Sequence, residues 1–271
     1  MITILGAGGF IGSHLVKRLQ ARKIEYYAPH RQEDFSGKHL GHVIYCIGVT
    51  ADFRTRPLDT VEAHVCRLLE VMRFCEYDSL LYLSSTRLYN ISVDPAHEGA
   101  PLYVNPSDPS DLYNISKAMG EALLHNSARK ARIARISNVY GLDFNSDNFL
   151  SSVIKEALSS RLIVLRTSLD SEKDYVSIDD VADALLGIAL TGNHDVYNVA
   201  SGTNVTNHRL MEKISSLTGC RVEVAPGSGT VKFPRISIER IKAEFPYDPS
   251  SILNDIGKMV ELYEHHRGTQ K

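Results

Sequence analysis

The spacing of apolar and polar residues changes repeatedly along the first half of the chain. Short apolar runs, typical of buried parallel strands, alternate with stretches in which apolar residues recur every three or four positions, as in helices. This alternation predicts an α/β fold with a doubly wound parallel sheet. Strands are predicted at 1–5, 25–29, from 43 and at 79–83, and helices at 12–22, 58–76 and 110–128.

The pattern after residue 141 predicts that the chain leaves the sheet and later returns to it. Further helices are predicted at 147–159, 178–191, 206–218 and 249–266, and further strands at 196–200 and 221–225. We therefore expect a main domain over 1–141 with returning segments near 176–200. Residues 142–175 and 201–271 would form a smaller lobe. A cleft between two such lobes is a common place for an active site.

A glycine motif follows the first predicted strand directly. Gly6, Gly9 and Gly12 are spaced by two residues each, and a stretch of helical spacing comes next. Glycines allow a tight turn and let the backbone approach a pyrophosphate, which the N–H groups of the helix N-terminus then bind. Strand, glycine turn and helix together predict a dinucleotide-binding site, since an ordinary strand-to-helix turn rarely needs three glycines.

The end of the second predicted strand bears on the choice of dinucleotide. A site for NAD usually has Asp or Glu there to bind the ribose 2′-hydroxyl, whereas this chain has His30 and Arg31. A guanidinium can bind a 2′-phosphate through two hydrogen bonds. We therefore predict NADP(H), bound by Arg31, over NAD(H). Glu33 and Asp34 leave NAD(H) open, because either could bind a ribose.

Three residues downstream form a candidate acid–base device. Ser85 follows the predicted strand at 79–83, and ligands of open α/β sheets bind at such carboxyl ends. Tyr113 and Lys117 are four residues apart, so they share one face of the predicted helix. A free phenol has a pKa near 10, and a nearby ammonium should lower it. Tyr113 could then move a proton while Ser85 orients a substrate oxygen.

Together these features resemble the extended short-chain dehydrogenase/reductases, in the nucleotide-sugar epimerase, dehydratase and reductase group. The resemblance runs nearly from end to end, through 43–48, 82–89, 135–141, 173–180 and 197–202. It implies a Rossmann-type fold with a small substrate-binding lobe, and a homodimer formed by the helices at 58–76 and 110–128. It implies catalytic Ser85, Tyr113 and Lys117, with Ser84 less suited because strand alternation directs it to the opposite face.

The resemblance also implies two sets of binding residues. The cofactor set is Gly6, Gly9, Phe10, Ile11, Gly12, His30, Arg31, Cys46, Gly48, Tyr113 and Lys117. The substrate set is Ser85, Thr86, Asn138, Asn148, Lys173 and Arg235. Asn138, Asn148 and Lys173 match positions that often contact a nucleotide diphosphate, which needs amide donors and a cation. Arg235 would supply a second cation.

Three departures from the family pattern narrow the prediction. Arg87 stands where dehydratases and decarboxylases of the family usually carry Glu, which argues against both reactions. His64 stands where the family often has Asn, so we expect a core or cofactor-side histidine. The stretch between Arg31 and His42 is short, so we expect a strand and a crossover helix common in the family to be reduced or lost there. That region often helps to hold the adenine in the family.

Composition excludes several other classes of protein. The net charge is −2, so no basic surface for nucleic acid is expected. No apolar run is long enough to span a bilayer. The four cysteines have no metal-site spacing and indicate reduced thiols in a cytoplasmic protein.

We therefore expect an NAD(P)-dependent oxidoreductase that reduces a nucleotide-linked sugar, at a C4 carbonyl. A nucleotide-sugar 4-epimerase with tightly bound NAD is the first alternative, since it would use the same three residues. A non-catalytic dinucleotide sensor is the second, although such proteins usually lose the tyrosine or the lysine.

Overall fold

A parallel sheet with helices on both faces forms the main part of the molecule. The computed structural model describes residues 1–31, 33–50, 52–90, 93–144 and 148–269. In this described part the main sheet has six parallel strands in the order β2-β1-β3-β4-β5-β9. They are β1 (Ile2–Leu5), β2 (Tyr26–Tyr27), β3 (His42–Tyr45), β4 (Ser79–Ser85), β5 (Ala131–Ile136) and β9 (Val196–Val199). The predicted doubly wound α/β fold is confirmed.

The helices cover the two faces of this sheet. One face packs against α1 (Phe10–Ala21) and α6 (Ile178–Thr191), through side chains such as Leu15, Leu19 and Leu185. The other face packs against α3 (Arg67–Phe74) and α4 (Leu112–His125). Strands β1, β3 and β4 are therefore buried on both faces, which explains their continuous apolar runs.

The edge of the sheet next to β2 is reduced, as the short sequence there predicts. Strand β2 has two residues, and the described residues between it and β3 contain no helix or strand. Residues 30 and 31 therefore follow β2 in an exposed loop.

A separate apolar core lies in the second half of the chain. It is built by α5 (Phe149–Ser159), α7 (Asn207–Thr218) and α9 (Ile252–Thr269), with β7 (Leu162–Leu165) and β11 (Arg221–Val224). A three-stranded sheet, β10-β8-β6, joins β6 (Asn138–Tyr140), β8 (Glu172–Ser177) and β10 (Asn204–Thr206). The segment with Ile236, Ile241 and α8 (Glu239–Glu244) packs instead on the core of the main sheet. The two-lobe division remains a proposal, which the separate core supports. No described helix combines the length and apolar character needed to cross a bilayer.

A π-helical turn interrupts the helix predicted at 58–76 and positions His64. The turn, Glu62–Cys66, lies between α2 (Pro57–Val61) and α3. Such turns often mark functional sites in helices. His64 is fully buried, and its ring stands edge-on to the ring of Tyr113, 5.2 Å between centroids.

Two hydrogen bonds hold the His64 ring. Its Nε2 accepts from the N–H of Val49 at 3.3 Å, and its Nδ1 lies 2.8 Å from Oγ of Ser116. Because Nε2 is an acceptor, the proton of the neutral ring belongs on Nδ1, which donates to Ser116. Burial, with the charge of Lys117, lowers the pKa of His64 to about 2. His64 is therefore a neutral support beneath the site.

The depressed pKa of His64 predicts how unfolding depends on acid. The unfolded histidine takes up a proton near pH 6.5, whereas the folded one does so only near pH 2. The contribution of neutral His64 to stability is thus present above pH 6.5 and is lost as the pH falls. Between pH 7.5 and 5.5 we expect the wild type to lose about 1.4 kcal/mol more than His64→Asn.

Urea unfolding at the two pH values measures this difference. His265→Asn, which removes an exposed histidine of α9, is the matched control and should follow the wild type. Equal losses in the wild type and in His64→Asn would contradict a buried, neutral His64.

Candidate active site

A cavity of about 750 Å³ opens at the carboxyl ends of the central strands. Its wall includes the glycine turn, the ends of β3 and β4, the face of α4 that carries Tyr113 and Lys117, and parts of β6 and β8. This is the position at which open α/β sheets bind ligands. A second depression, of about 430 Å³, lies at the opposite end of β5 and contains none of the predicted site residues.

The glycine turn brings the start of α1 against the sheet. Gly6 has a φ of +87°, and a Cβ there would lie 2.9 Å from the backbone of Cys46. A Cβ on Gly12 would lie 2.3 Å from the carbonyl oxygen of Gly6, so only glycine fits at either position. Gly9 caps α1 without a side chain, and Phe10 and Ile11 line the cavity beside it. The first N–H groups of α1 are thereby left for an anion.

The residues predicted to select the dinucleotide lie at the reduced edge. His30 and Arg31 are exposed after β2. Glu33 is engaged by the hydroxyl of Tyr27 and by Lys38, at 2.5 Å and 2.9 Å, and these contacts lower the pKa of Glu33 to about 2. Asp34, the second candidate for a ribose, accepts from the N–H of Ser36.

Ser85, Tyr113 and Lys117 come together as the sequence predicts. The hydroxyl of Ser85 lies close enough to the phenol of Tyr113 to act on its pKa, and both residues line the cavity. Nζ of Lys117 donates to the carbonyl of Leu83 at 2.7 Å, which ties α4 to β4. Ser84 points to the other side of β4 and donates to Glu121 at 2.5 Å, in agreement with strand alternation.

Burial dominates the electrostatics of the two groups on α4. It lowers the pKa of Lys117 to about 7, although Glu121 and Cys46 act in the opposite direction. It also raises the pKa of Tyr113, against the effects of the Ser85 hydroxyl and the Arg87 charge. The spacing predicted that Lys117 lowers the pKa of the Tyr113 phenol. In the structure this pKa is raised instead, because burial outweighs the neighbouring groups.

Cys46 and Gly48 lie where β3 ends, next to these groups. Burial raises the pKa of the Cys46 thiol to about 12, so the residue is an uncharged part of the wall. A Cβ on Gly48 would lie 3.3 Å from Nε2 of His64 and 3.7 Å from Nζ of Lys117. A glycine there lets the backbone pass close to both.

The predicted diphosphate residues face the cavity from the second half of the chain. Nζ of Lys173 lies 4.4 Å from the ring centroid of Phe149, and burial lowers the pKa of this lysine. Asn138 donates to the carbonyl of Asp174 at 2.8 Å. Asn148 caps α5, where its side-chain oxygen accepts from the N–H of Ser151. All three predicted residues line the cavity.

Two predicted substrate residues have other partners. Oγ1 of Thr86 lies 3.5 Å from the carbonyl oxygen of Ile136, although Thr86 lines the cavity. Arg235 forms an exposed ion pair with Asp94 at 3.1 Å, and its side chain is outside the cavity wall. The prediction that Arg235 binds the diphosphate as a second cation is therefore not supported. The carboxylate of Asp94 holds the Arg235 guanidinium at the surface instead.

Sequence reasoning did not identify Phe53 and Arg54 as part of this wall. The ring of Phe53 lies 5.3 Å from that of Tyr113, and the guanidinium of Arg54 lies 4.5 Å from the Phe53 ring centroid. Both residues follow β3 in a loop, where neither periodicity nor a motif gives a signal. Their position after a strand end was the one available indication.

Comparisons with known proteins agree with this geometry. Residues 2–200 match the model of the NAD dependent epimerase/dehydratase family. The chain is 23% identical to a dTDP-4-dehydro-6-deoxy-D-allose reductase of Streptomyces bikiniensis, over 98% of this chain and 96% of the relative.

Two solved structures have the same fold. One is a UDP-glucose 4-epimerase of Thermotoga maritima with UDP-glucose, with a TM-score of 0.80, 19% identity, and coverage of 100% of this chain and 99% of that one. The other is RMD of Pseudomonas aeruginosa complexed with NADPH, with a TM-score of 0.77, 21% identity, and coverage of 98% and 99%. The chain belongs to the NAD dependent epimerase/dehydratase family and is an NAD(P)-dependent enzyme of the extended short-chain dehydrogenase/reductase type.

Proposed function

We propose that the protein is an NADP(H)-preferring reductase that acts on the C4 carbonyl of a nucleotide-linked sugar. The observation that carries this proposal is that Ser85, Tyr113 and Lys117 line the same cavity as the glycine turn. The cavity is large enough for a small-molecule substrate. It thus combines an acid–base device with an anion-binding helix start.

The glycine turn fits a dinucleotide. Only glycine fits at Gly6 and Gly12, because a Cβ there would clash with the backbone of Cys46 and of Gly6, and Gly9 leaves the first N–H groups of α1 uncovered. Cys46 and Gly48 form the neighbouring wall. When bound, a nicotinamide supplies or accepts the hydride, while the chain's own residues hold the substrate and move its proton.

Tyr113 is the proton donor in the reduction that we propose. Ser85 lies near it in the cavity wall, where its hydroxyl can donate to the substrate's carbonyl oxygen. A high phenol pKa keeps Tyr113 protonated, which suits donation to an oxygen that gains negative charge. Lys117, buried beside it, stabilises the phenolate that remains after transfer.

The second half of the cavity suits a nucleotide diphosphate. Lys173 offers a cation, and Asn138 and Asn148 lie on the same wall. The reductase of Streptomyces bikiniensis acts on a dTDP-linked sugar by its name, and the epimerase of Thermotoga maritima binds UDP-glucose. Both support a nucleotide-linked sugar as the substrate here.

The preference for NADP(H) rests on the reduced edge of the sheet. Arg31 is exposed there, while Glu33, which could bind a ribose, is occupied by Tyr27 and Lys38. A cofactor drawn from the reducing pool suits net reduction better than epimerisation, in which the cofactor is regenerated within one turnover.

Replacing Tyr113 with Phe tests the acid–base role. The change removes the proton donor and keeps the ring packed against Phe53 and His64. We expect kcat to fall by about 10²- to 10⁴-fold, with cofactor affinity nearly unchanged. Tyr77→Phe is the control, because the Tyr77 hydroxyl is buried without a partner in the described part of the chain and lies outside the cavity. Normal turnover in Tyr113→Phe would contradict the proposal that Tyr113 donates the proton.

Replacing Arg31 with Asp tests the choice of cofactor. A carboxylate repels a 2′-phosphate, so the ratio of NADPH to NADH affinity should fall by about tenfold or more. Arg209→Asp makes the same charge change on an exposed residue of α7 and should leave the ratio as it is. Binding of both cofactors is measured by calorimetry. An unchanged ratio in Arg31→Asp would show that Arg31 does not bind the cofactor.

A further inference from the structure

Arg87 is a cation that lies beside the acid–base residues Ser85 and Tyr113. It stands in a 3₁₀ turn, Thr86–Tyr89, which begins directly after Ser85. Its backbone N–H donates to Oγ of Ser85 at 3.2 Å, and its guanidinium lies 5.9 Å from the ring centroid of Tyr113. The side chain lines the cavity. Any substrate whose oxygen contacts Ser85 and Tyr113 therefore places its adjacent atoms near Arg87.

A second arginine, the exposed Arg54, lies beside the same aromatic ring as Arg87. The guanidinium of Arg87 is 5.1 Å from the ring centroid of Phe53, and that of Arg54 is 4.5 Å from it. The two positive charges repel each other, and burial together with Arg54 lowers the pKa of Arg87. Two cations beside one ring thus need an anion more than either would alone.

The described part of the chain offers Arg87 little compensation. Its Nε is buried without a hydrogen-bond partner, and its one bond is a long one, 3.4 Å, to the carbonyl of Ser110. The nearest acids have other partners: Asp108 accepts from the N–H of Ser110, and Asp111 accepts from Asn114. Across the described residues Arg87 forms no ion pair within 4.0 Å. The guanidinium is half-buried and its Nε is shielded from solvent, so the site favours a ligand that supplies an anion.

These cations are distinct from the group that would bind a diphosphate. Lys173 packs on Phe149 and Tyr175, at 4.4 Å and 5.9 Å from the ring centroids. Arg87 packs on Phe53 and Tyr113 instead. A substrate that reaches from Lys173 to Tyr113 would present its diphosphate to the first group and its reacting sugar to the second.

We infer that Arg87, with Arg54 beside it, binds a carboxylate on the sugar next to the reacting carbon, so that the preferred substrate is a nucleotide-linked acidic sugar. This inference rests on the proposed function. A guanidinium matches a carboxylate through two parallel hydrogen bonds, which an ammonium cannot form in the same geometry. Arg87, at the position where related dehydratases and decarboxylases usually have Glu, is thus a specificity-determining residue.

Binding of matched nucleotide sugars tests the inference. The probes are UDP-glucuronate and UDP-glucose, with the corresponding dTDP pair, titrated by calorimetry into protein that holds the oxidised cofactor. In at least one pair we expect the acidic sugar to bind about tenfold tighter or more. Arg87→Met should bring the ratio close to one, mainly by weakening the acidic sugar. Arg87→Lys should keep part of the preference, because it keeps the charge and loses the paired geometry.

Two further variants separate specificity from loss of structure. Arg54→Met alters an exposed side chain and should lower the ratio by a smaller factor than Arg87→Met. Arg209→Met, on the exposed surface of α7, should leave it unchanged. A preference for the acidic sugar that falls in both Arg87→Met and Arg54→Met supports the inference even if Arg87→Met is less stable.

The contrary outcomes distinguish this inference from the proposed function. Equal affinity for the two members of each pair, with Arg87→Met weakening both alike or neither, would overturn the inference and leave the proposed function standing. Failure of all four nucleotide sugars to bind would overturn the proposed function, and the inference with it.

Discussion

The hydrogen bond from Lys117 to the carbonyl of Leu83 is the contact on which the site depends. It is 2.7 Å long and fully inside the protein, and it joins the helix that carries Tyr113 to the strand that carries Ser85. Because the lysine lies one helical turn after Tyr113, anchoring its ammonium also fixes the phenol over the end of β4. The acid–base pair is therefore held by elements of the fold, and a loop is not needed to assemble it.

The same arrangement places groups where they cost stability. Burial lowers the pKa of Lys117 to about 7, and His64 stays neutral beneath it. Arg87 and Arg54 lie beside one aromatic ring, and among the described residues the Nε of Arg87 has no hydrogen-bond partner. Groups perturbed in this way cluster at functional sites, where a ligand can offset the cost. The buried ion pair of Glu121 and Arg135 offsets part of this cost. Its two charges neutralise each other, and the Glu121 carboxylate also stabilises the ammonium of Lys117.

Much of this site follows from the sequence alone, for physical reasons. The glycine turn could be predicted because a Cβ at Gly6 or Gly12 has no room, and the Tyr113–Lys117 pair because helical spacing puts both on one face. Arg235 could not be placed, because its partner Asp94 is far away in sequence. The direction of the Tyr113 pKa was missed because burial depends on packing, which spacing does not reveal. Phe53 and α8 were missed because neither carries a motif.

Whether the enzyme is a reductase is tested most directly by measuring the transfer of deuterium from the sugar to the cofactor. UDP- and dTDP-linked glucose and glucuronate, each with deuterium at C4, are incubated with the enzyme and free NADP⁺, and the cofactor is analysed by mass spectrometry. A reductase working in reverse places deuterium in the free NADPH pool, and this label should disappear in Tyr113→Phe. Deuterium that remains on the sugar while its C4 configuration inverts, with none in the free cofactor, would contradict the account and identify an epimerase.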